Sequence, residues 1–379
     1  MKKKKIFMEI CKRCIMDSTI PGFKLDAKGI CNFCLYWKKN KDKYISFSDV
    51  NIKDNLSSIK KEVQTHTKKF KNKYDCIVGL SGGIDSSFVV YNLWKMGLNP
   101  LVIHLDNGWG TLNSNSNISK ILEKTNFDYK TLVLDWEEFS DLQLSFLKAG
   151  VPDIELPTDH AILAYIYNYA LKNNIKYIFS GVNFATEHST VPAWGWRKDD
   201  YNHIKKIHKL FGKVKLKNYP NIIPFKKFYH QTISKKIKVI NLLDQINYNS
   251  TKASEILSQE YGWMSYEAKH HESFFTMFFQ TYILPKKFGI DKRKLHYSCL
   301  IRNHELTRDK ALESLSLPAI DSLNLTQNKN FFLKKMLLTN EEFENIMLAE
   351  PKKHSDYSIN WTQSLIFKFI KNQIKKILK

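Results

Sequence analysis

The chain has 379 residues, 43% of them hydrophobic, and a formal net charge of +22 from 59 Lys and Arg against 37 Asp and Glu. This composition is typical of a folded globular protein rather than a disordered one. No segment approaches the roughly 18 consecutive apolar residues that cross a bilayer, and the start lacks the apolar stretch of a signal peptide. We therefore expect a cytoplasmic protein with no membrane partner. The charge is Lys-rich and scattered, which indicates a solvated surface more than a nucleic-acid interface.

Four of the six cysteines form two C-x-x-C pairs. Cys11 and Cys14 make the first pair, and Cys31 and Cys34 make the second. Four thiolates at this spacing suit a tetrahedral zinc site, with an iron–sulfur cluster as the alternative. Because four protein ligands leave no open position, the metal would be structural. We predict a zinc ribbon over residues 1–45.

The pattern of apolar residues predicts the rest of the architecture. Residues 46–73 form a linking helix, since their apolar residues recur at helical spacing. Strands are then predicted at 75–80, 101–105, 130–134 and 177–179, and helices at 86–96, 116–124, 137–148 and 159–172. Such alternation predicts an α/β fold with a parallel sheet over residues 74–250. A fifth strand at 222–225 and a helix at 229–243 are less regular, and residues 251–379 are expected to be mainly helical.

A glycine-rich turn, Ser81–Ser87, follows the first predicted strand and precedes a helix. Gly82 and Gly83 allow the backbone to approach a phosphate, and the helix N-terminus stabilises its charge. Asp85 is placed to help hold a magnesium ion on the phosphates. The hydroxyl donors of the turn are Ser81, Ser86 and Ser87. The alternative is an ordinary turn with a helix cap.

This turn is neither a G-x-G-x-x-G fingerprint nor a P-loop ending in Gly-Lys-Ser/Thr. It resembles the PP-loop of the HUP-like ATP pyrophosphatase superfamily, whose members adenylate a substrate oxygen and release pyrophosphate. The resemblance implies ATP and Mg²⁺ as cofactors. Since ligands bind at the carboxyl ends of parallel strands, we assign Asp106, Gly181 and Asn183 to ATP and magnesium, and Glu187 to substrate. Asp135 is interpreted as structural.

The remaining cysteines restrict which nucleophile the chain can supply. Only Cys76 and Cys299 lie outside the two pairs. Cys76 is predicted to be a buried apolar filler of a strand, and Cys299 has no nearby thiol, so sulfur transfer is disfavoured. The chain begins Met-Lys and has no cysteine in a glycine-rich elbow. Glutamine-derived ammonia must therefore come from a separate subunit.

Several motifs together resemble the bacterial N-acetyl sugar amidotransferase family over essentially the whole chain. They are the cysteine pairs with Met16 and Asp17, the glycine-rich turn, and the segments 261–263, 269–272 and 286–294. The family converts an acetamido group of a surface sugar into an acetamidino group. The resemblance implies a role in O-antigen and lipopolysaccharide synthesis or in flagellin glycosylation with pseudaminic or legionaminic acid-type sugars. It also implies glutaminase and cyclase partners like those of histidine biosynthesis.

The implied mechanism is adenylation of the acetamido carbonyl oxygen by ATP, followed by attack of ammonia and departure of AMP. Asp85, Lys269, His270 and His271 are the candidate catalytic residues, with either histidine accepting a proton from ammonium. Basic residues are candidates to bind an anionic sugar or its phosphates. They are Lys286, Lys287, Lys292, Arg293 and Arg302. The alternative is a basic, aromatic surface that makes structural contacts.

Two other functions stay open at this point. A tRNA-modifying PP-loop enzyme would use the zinc ribbon, the positive charge and aromatic residues such as Trp194, Trp196 and Trp263. A zinc-ribbon nucleic-acid binder without catalysis is the other, but it leaves the glycine-rich turn unexplained. Nucleic acid is not the expected partner.

Overall fold

The computed structural model describes residues 9–44, 47–266 and 268–357. Its centre is one sheet of five parallel strands, in the order β3-β2-β1-β4-β5. The strands are β1 (Cys76–Gly79), β2 (Pro100–Asp106), β3 (Tyr129–Val133), β4 (Tyr177–Ser180) and β5 (Lys238–Asn241). The predicted α/β fold with a parallel sheet is confirmed. The strand order reverses direction between β1 and β4, which is where open α/β sheets bind their ligands.

Helices connect the strands and cover both faces of the sheet. In the first half they are α1 (Asn32–Asn40), α2 (Asp49–Phe70), α3 (Ile84–Lys95), α4 (Leu112–Thr125), α5 (Trp136–Ala149), α6 (Leu156–Lys172), α7 (Phe184–Glu187) and α8 (Tyr201–Phe211). In the second half they are α9 (Pro224–Phe228), α10 (Ser250–Tyr261), α11 (Phe274–Phe278), α12 (Leu284–Phe288), α13 (Arg293–Arg302), α14 (Arg308–Ser316), α15 (Ser322–Met336) and α16 (Asn340–Leu348). Within the residues described, no helix is both long and apolar enough to cross a bilayer.

Alternation along β1 explains the two layers of helices. Cys76 and Val78 pack in one buried cluster with Val89 of α3. Ile77 points the other way and packs with Ala164 of α6. Successive side chains of a strand face opposite sides, so a strand that is apolar throughout needs a helix on each face. The interpretation of Cys76 as a buried filler is confirmed.

The prediction for residues 222–243 was wrong. A short helix, α9, begins at Pro224, and the fifth strand lies later, at β5. Proline has no N–H for a sheet ladder and its fixed φ suits the first turn of a helix. Val239 and Ile240 are β-branched, and they pair with Ile178 and Phe179 of β4.

The helix α2 lies within the range predicted for a linking helix, and the C-terminal region is mainly helical over its described part, 251–266 and 268–357. The predicted domain boundaries, 1–45, 46–73, 74–250 and 251–379, remain predictions. Side chains from different predicted domains contact one another. Lys294 pairs with Asp17 of the ribbon at 2.5 Å between Nζ and Oδ2. Residues 1–8, 45–46, 267 and 358–379 of these ranges lie outside the described residues.

Trp109, in the loop after β2, joins the sheet to the C-terminal helices. Its side chain is 1% exposed, and its Nε1 donates to Gln143 Oε1 of α5 at 2.8 Å. Its ring stacks on Phe274 of α11 and Phe332 of α15, with centroids 6.0 and 5.9 Å away. Buried aromatic groups of this size dominate the energy of a core. The sheet and the C-terminal helices therefore share one hydrophobic core.

We predict that Trp109→Ala lowers the free energy of unfolding by about 3–5 kcal/mol, because it leaves a large cavity and an unpaired Gln143 amide. Urea denaturation followed by circular dichroism measures this change. Leu112→Ala is the control, since Leu112 is 89% exposed and should change stability by less than about 0.5 kcal/mol. Equal effects of the two substitutions would show that Trp109 does not join the two regions.

Candidate active site

The turn between β1 and α3 has the geometry of an anion-binding loop. Gly82 has a φ of 81° and Gly83 caps the N-terminus of α3. Ser81 Oγ accepts the Gly83 N–H at 3.2 Å, and Ser86 Oγ accepts the Ser81 N–H at 3.2 Å. A Cβ on Gly82 would lie 2.6 Å from the backbone oxygen of Ser114, so this position needs glycine, whereas a Cβ on Gly83 would displace the Glu272 carboxylate, whose Oε1 lies 2.7 Å away. The serines hold the loop in shape, and the helix N-terminus faces the site.

Side chains of the C-terminal region donate hydrogen bonds to the carbonyl oxygen of Gly82. It accepts hydrogen bonds from Trp263 Nε1 and the Tyr266 hydroxyl, both at 3.0 Å, and from Asn117 Nδ2 at 3.4 Å. Carbonyl oxygens near a phosphate would repel it, so turning this one towards donors favours anion binding. The role of the segment 261–263 is therefore to support the loop. Sequence reasoning gave it no role, because no local signal relates it to Gly82.

Lys269 and Asp85, two of the predicted catalytic residues, form a buried ion pair. Lys269 Nζ lies 3.0 Å from Asp85 Oδ2 and 2.8 Å from Glu187 Oε1. It also donates to Thr186 Oγ1 at 2.9 Å. Burial raises the pKa of Asp85. The Lys269 charge and a hydrogen bond from Tyr248 lower this pKa by more than burial raises it, so it lies below its ordinary value. Both groups of the pair are charged at neutral pH.

Glu272 is the site residue to which sequence analysis assigned no role. Its Oε1 lies 3.5 Å from Ser81 Oγ and 3.9 Å from His270 Nδ1. Its backbone oxygen accepts the Thr111 N–H at 3.1 Å, which fixes the residue beside the loop. Burial raises the pKa of Glu272, whereas hydrogen bonding and the charge of His270 lower it below its ordinary value. Asp85 and Glu272 thus offer two carboxylates beside the loop, which are ligands suited to Mg²⁺.

The two candidate proton carriers lie at the same place. His270 has a φ of 69°, and its side chain is 47% exposed. Burial lowers the pKa of His270, but the nearby Glu272 carboxylate raises it above its ordinary value. His270 and His271 both line a cavity at the carboxyl ends of β4 and β5. Both imidazoles can therefore meet a ligand in the cavity, and His270 also lies beside Glu272.

A cavity of about 1100 Å³ adjoins the carboxyl ends of β4 and β5. The structure brings many of the predicted site residues into its wall: Gly181, Glu187, Lys269, His270, His271, Lys292 and Arg293. It also adds residues that sequence analysis had not placed at the site, Lys198, Lys227, Gln231, Gln280 and His296. These lie on segments whose sequence shows no periodic pattern, so only the fold reveals them. The cavity is large enough for a substituted sugar.

Three residues predicted to bind ATP or Mg²⁺ have other positions. Ser87 is fully buried in α3, because its side chain points into the core rather than into the turn. Asn183 is 2% exposed, and its Oδ1 caps α7 by accepting the Thr186 N–H at 2.8 Å. Asp106 lies in a separate depression of about 600 Å³, where its carboxylate accepts the Gly108 N–H at 2.9 Å.

Three of the five predicted basic residues are not available to the substrate in the way predicted. Lys287 donates to the carbonyl oxygens of Ile346 and Ala349 at 2.5 and 2.6 Å, and so caps the end of α16. Lys286 is exposed and does not line the cavity. Arg293 lies in the cavity wall, but its guanidinium pairs with Asp291 at 2.7 Å. Lys292 is the predicted cation in the wall that pairs with no carboxylate of a described residue.

The four cysteines converge as the spacing predicted. Their Sγ atoms lie within 4.8 Å of one another and all are buried. Two of the separations are 3.9 Å for Cys11 and Cys34, and 3.7 Å for Cys14 and Cys31. Four thiolates around one zinc ion at about 2.3 Å lie roughly 3.8 Å apart. This geometry fits a single zinc ion better than a cluster in which each thiolate binds a different iron.

Arg302 was predicted to bind substrate, and the structure corrects this. Its side chain is buried against the cysteines, with Nε 3.3 Å from Cys34 Sγ, because a cation offsets the charge of the thiolates. Its Nη1 donates to His188 Nε2 at 2.6 Å. Burial, together with the Arg302 charge, lowers the pKa of His188 to about 3, so this imidazole is neutral. His188 Nδ1 donates to the Phe184 oxygen of α7 at 2.7 Å, which links the ribbon to the helix that carries Glu187.

Comparison with known proteins finds a family similarity in the C-terminal part of the chain. Residues 272–371 match the family model described as "LPS biosynthesis protein WbpG-like, C-terminal domain". This match confirms the resemblance to a surface-polysaccharide family. The uncharacterized protein MJ1599 of Methanocaldococcus jannaschii is 28% identical over 42% of this chain, which spans 61% of that protein.

Two solved structures are also similar. The NMN synthetase of Francisella tularensis is 14% identical, with a TM-score of 0.30 over 60% of this chain and 91% of that one. The NH3-dependent NAD synthetase of Campylobacter jejuni is 15% identical, with a TM-score of 0.29 over 57% of this chain and 99% of that one. The fold assignment comes from the strand order of this sheet and not from these two similarities.

We predict that Cys31→Ser abolishes stoichiometric zinc binding, because a hydroxyl is a poor fourth ligand for a thiolate site. Metal analysis of the purified protein should give about one zinc per wild-type chain and much less for the variant. Cys299→Ala is the control, because Cys299 lies outside the cluster. Iron in the wild-type protein, with the visible absorption of an iron–sulfur cluster, would contradict the zinc assignment.

We predict that Lys269→Met lowers stability by about 3–5 kcal/mol at pH 7, because it leaves buried carboxylates unpaired. In the wild type, the depressed pKa of Asp85 contributes stability that is present above pH 4 and is lost as the pH falls through the folded pKa. In the variant the Asp85 carboxylate keeps the hydrogen bond of Tyr248 but loses the charge of Lys269, so we expect burial to raise its pKa. The difference between the proteins should therefore shrink as the pH falls from 7 to 4.

Urea denaturation at several pH values measures this difference. Lys238→Met is the matched control, because the Lys238–Glu62 pair is 46% and 43% exposed and contributes little. A Lys269→Met difference that stays constant over this pH range would contradict the proposed charge state of Asp85.

Proposed function

We propose, from the match of residues 272–371 to the WbpG-like C-terminal domain and from the loop geometry, that the chain is an ATP-dependent N-acetyl sugar amidotransferase. It would act in the cytoplasm, on a surface sugar, and convert an acetamido group into an acetamidino group. The supporting observation is the contact of Lys269 with Asp85 and of Glu272 with Ser81. The start of the family match and the residues just before it thus contact the glycine-rich turn.

The loop would bind the phosphates of ATP through its own groups. The N–H groups around Gly82 and Gly83 and the hydroxyls of Ser81 and Ser86 are free to donate to phosphate oxygens when ATP displaces their internal bonds. Asp85 and Glu272 would hold Mg²⁺, which offsets the charge of the phosphates when bound. Lys269 would place a positive charge at the pyrophosphate leaving group.

The reaction proceeds in two steps. The acetamido carbonyl oxygen attacks the α-phosphorus of ATP, pyrophosphate leaves, and an O-adenylated imidate forms. Ammonia then adds to the imidate carbon and loses a proton to His270 or His271, after which the C–O bond breaks and AMP leaves. The product carries a nitrogen where the carbonyl oxygen was.

The substrate would be an anionic sugar. Lys292 lies in the cavity wall without a carboxylate partner among the described residues, and Lys227 lines another part of the wall. A nucleotide-linked sugar or a nonulosonic acid of the pseudaminic or legionaminic type would supply the complementary charge. The product would enter O-antigen and lipopolysaccharide synthesis or flagellin glycosylation.

Ammonia would come from a separate glutaminase subunit, with a cyclase homologue as a second partner, both resembling those of histidine biosynthesis. The support is the cysteine inventory of the chain. Four cysteines lie in the metal cluster and the other two, Cys76 and Cys299, are buried. Neither has the position of a glutaminase nucleophile.

The aromatic residues that favoured a tRNA-modifying enzyme have structural contacts. Trp263 is 4% exposed and holds Gly82. Trp196 stacks on His354 with centroids 5.3 Å apart, and Trp194 packs against the ribbon cluster. Stacking on unpaired bases needs exposed rings. The sugar is therefore the better substrate candidate.

We predict that the protein, ATP, ammonium and a diacetamido sugar give AMP, pyrophosphate and a sugar in which NH replaces one oxygen, measured by mass spectrometry. Asp85→Asn should lower the rate at least about 100-fold, since a charged ligand beside the phosphates is lost. Asp54→Asn on the exposed face of α2 is the matched control. AMP formation with bulk tRNA alone would instead assign the chain to RNA modification.

A further inference from the structure

Two π-helical turns lie in the described part of the chain. The first, Tyr229–Ile233, follows α9, and Ser234 N–H donates to the Tyr229 oxygen at 2.9 Å. The second, Phe279–Ile283, lies between α11 and α12 and is closed by the Leu284 N–H on the Phe279 oxygen. Such wide turns are rare and occur mostly at functional sites, because each inserts one residue and rotates the side chains that follow.

Each of these turns carries a Gln-Thr pair and places its glutamine in the wall of the same cavity. Gln231 comes from the first turn and Gln280 from the second. The first and last residues of the second turn face the core, since Phe279 and Ile283 are each 1% exposed. Both turns therefore present a carboxamide to one cavity, and in the second turn the Thr281 side chain lines the same wall.

The polar atoms of the two glutamines are available to a ligand. Gln280 makes no hydrogen bond to any residue in 9–44, 47–266 or 268–357. Gln231 Nε2 donates to the hydroxyl of Tyr167, which leaves its Oε1 without a partner among the same residues. Neither carboxamide is sealed from the cavity, because both side chains are partly exposed. An unused amide in a cavity wall costs free energy unless a ligand or water satisfies it.

The surroundings indicate what the carboxamides are for. The charged side chains of the wall include ion pairs, such as Lys198 with Asp159 at 2.8 Å and Lys269 with Glu187. The carboxamide of Asn241 also lies in the wall, but it donates to Asp244. Charged groups attract an anion without distinguishing its uncharged parts. A carboxamide both donates and accepts, so it matches the N–H and C=O of another amide.

We propose that Gln231 and Gln280 bind an uncharged amide of the substrate other than the one that reacts, and so select a sugar with a second acylamino group. This inference rests on the proposed function. The glutamines are specificity-determining residues and not catalytic ones, because the loop and its carboxylates hold the reacting groups. A site that hydrogen-bonds a substrate amide rejects an analogue lacking it, since its own polar groups are then left unpaired.

The test compares two sugars with wild type, Gln231→Met and Gln280→Met by isothermal titration calorimetry without ATP. One sugar has two acetamido groups, and in the other a hydroxyl replaces the non-reacting acetamido group. Wild type should bind the first at least about 10-fold more tightly, and each Met variant should lose most of this preference. Gln259→Met, at an exposed position of α10, is the matched control and should keep it.

Gln280→Glu separates recognition from packing, because it keeps the shape and the acceptor but loses the donor. It should also lose the preference while melting within a few degrees of wild type. Variants that bind both sugars as wild type does would overturn the inference while leaving the proposed function intact. A wild-type protein that binds neither sugar and releases no AMP with either would instead overturn the proposed function, and this inference with it.

Discussion

The candidate site depends on one buried cation, the ammonium group of Lys269. It lies between Asp85 of the glycine-rich turn and Glu187 of α7, with its side chain only 12% exposed. Two carboxylates this close would repel each other and one would take up a proton, so the site keeps its charge only because Lys269 is there. The segment that carries Lys269 also brings His270 and Glu272 to the loop. A single ion pair thus joins sequence regions that are far apart in the chain.

The zinc ribbon is linked to the same ion pair. Arg302 offsets the thiolate charge of the cysteine cluster and donates to His188, which is bonded to the first residue of α7. The helix α7 then presents Glu187 to Lys269. The ribbon therefore does more than stabilise the N-terminus, because its geometry positions one side of the candidate active site. This also explains why a cation predicted to bind substrate is buried near the metal cluster.

The sequence predicted those features that depend on local patterns. The alternation of apolar runs predicted four of the five strands, and the spacing of the cysteines predicted their convergence. It did not predict features that depend on distant contacts. Glu272 reaches Ser81 only because its backbone is bonded to Thr111, and Lys287 turns to the end of α16. A basic residue has the same sequence signal whether it caps a helix or faces a cavity, so four of the basic assignments could not be decided before the fold was known.

The most direct test of the central claim uses a sugar whose reacting acetamido group carries ¹⁸O in the carbonyl. The protein is supplied with ATP and ammonium, and the AMP that it releases is analysed by mass spectrometry. Adenylation of the carbonyl oxygen predicts that AMP gains the label, because the C–O bond breaks when AMP leaves. Unlabelled AMP, released alongside a modified sugar that retains ¹⁸O, would contradict it.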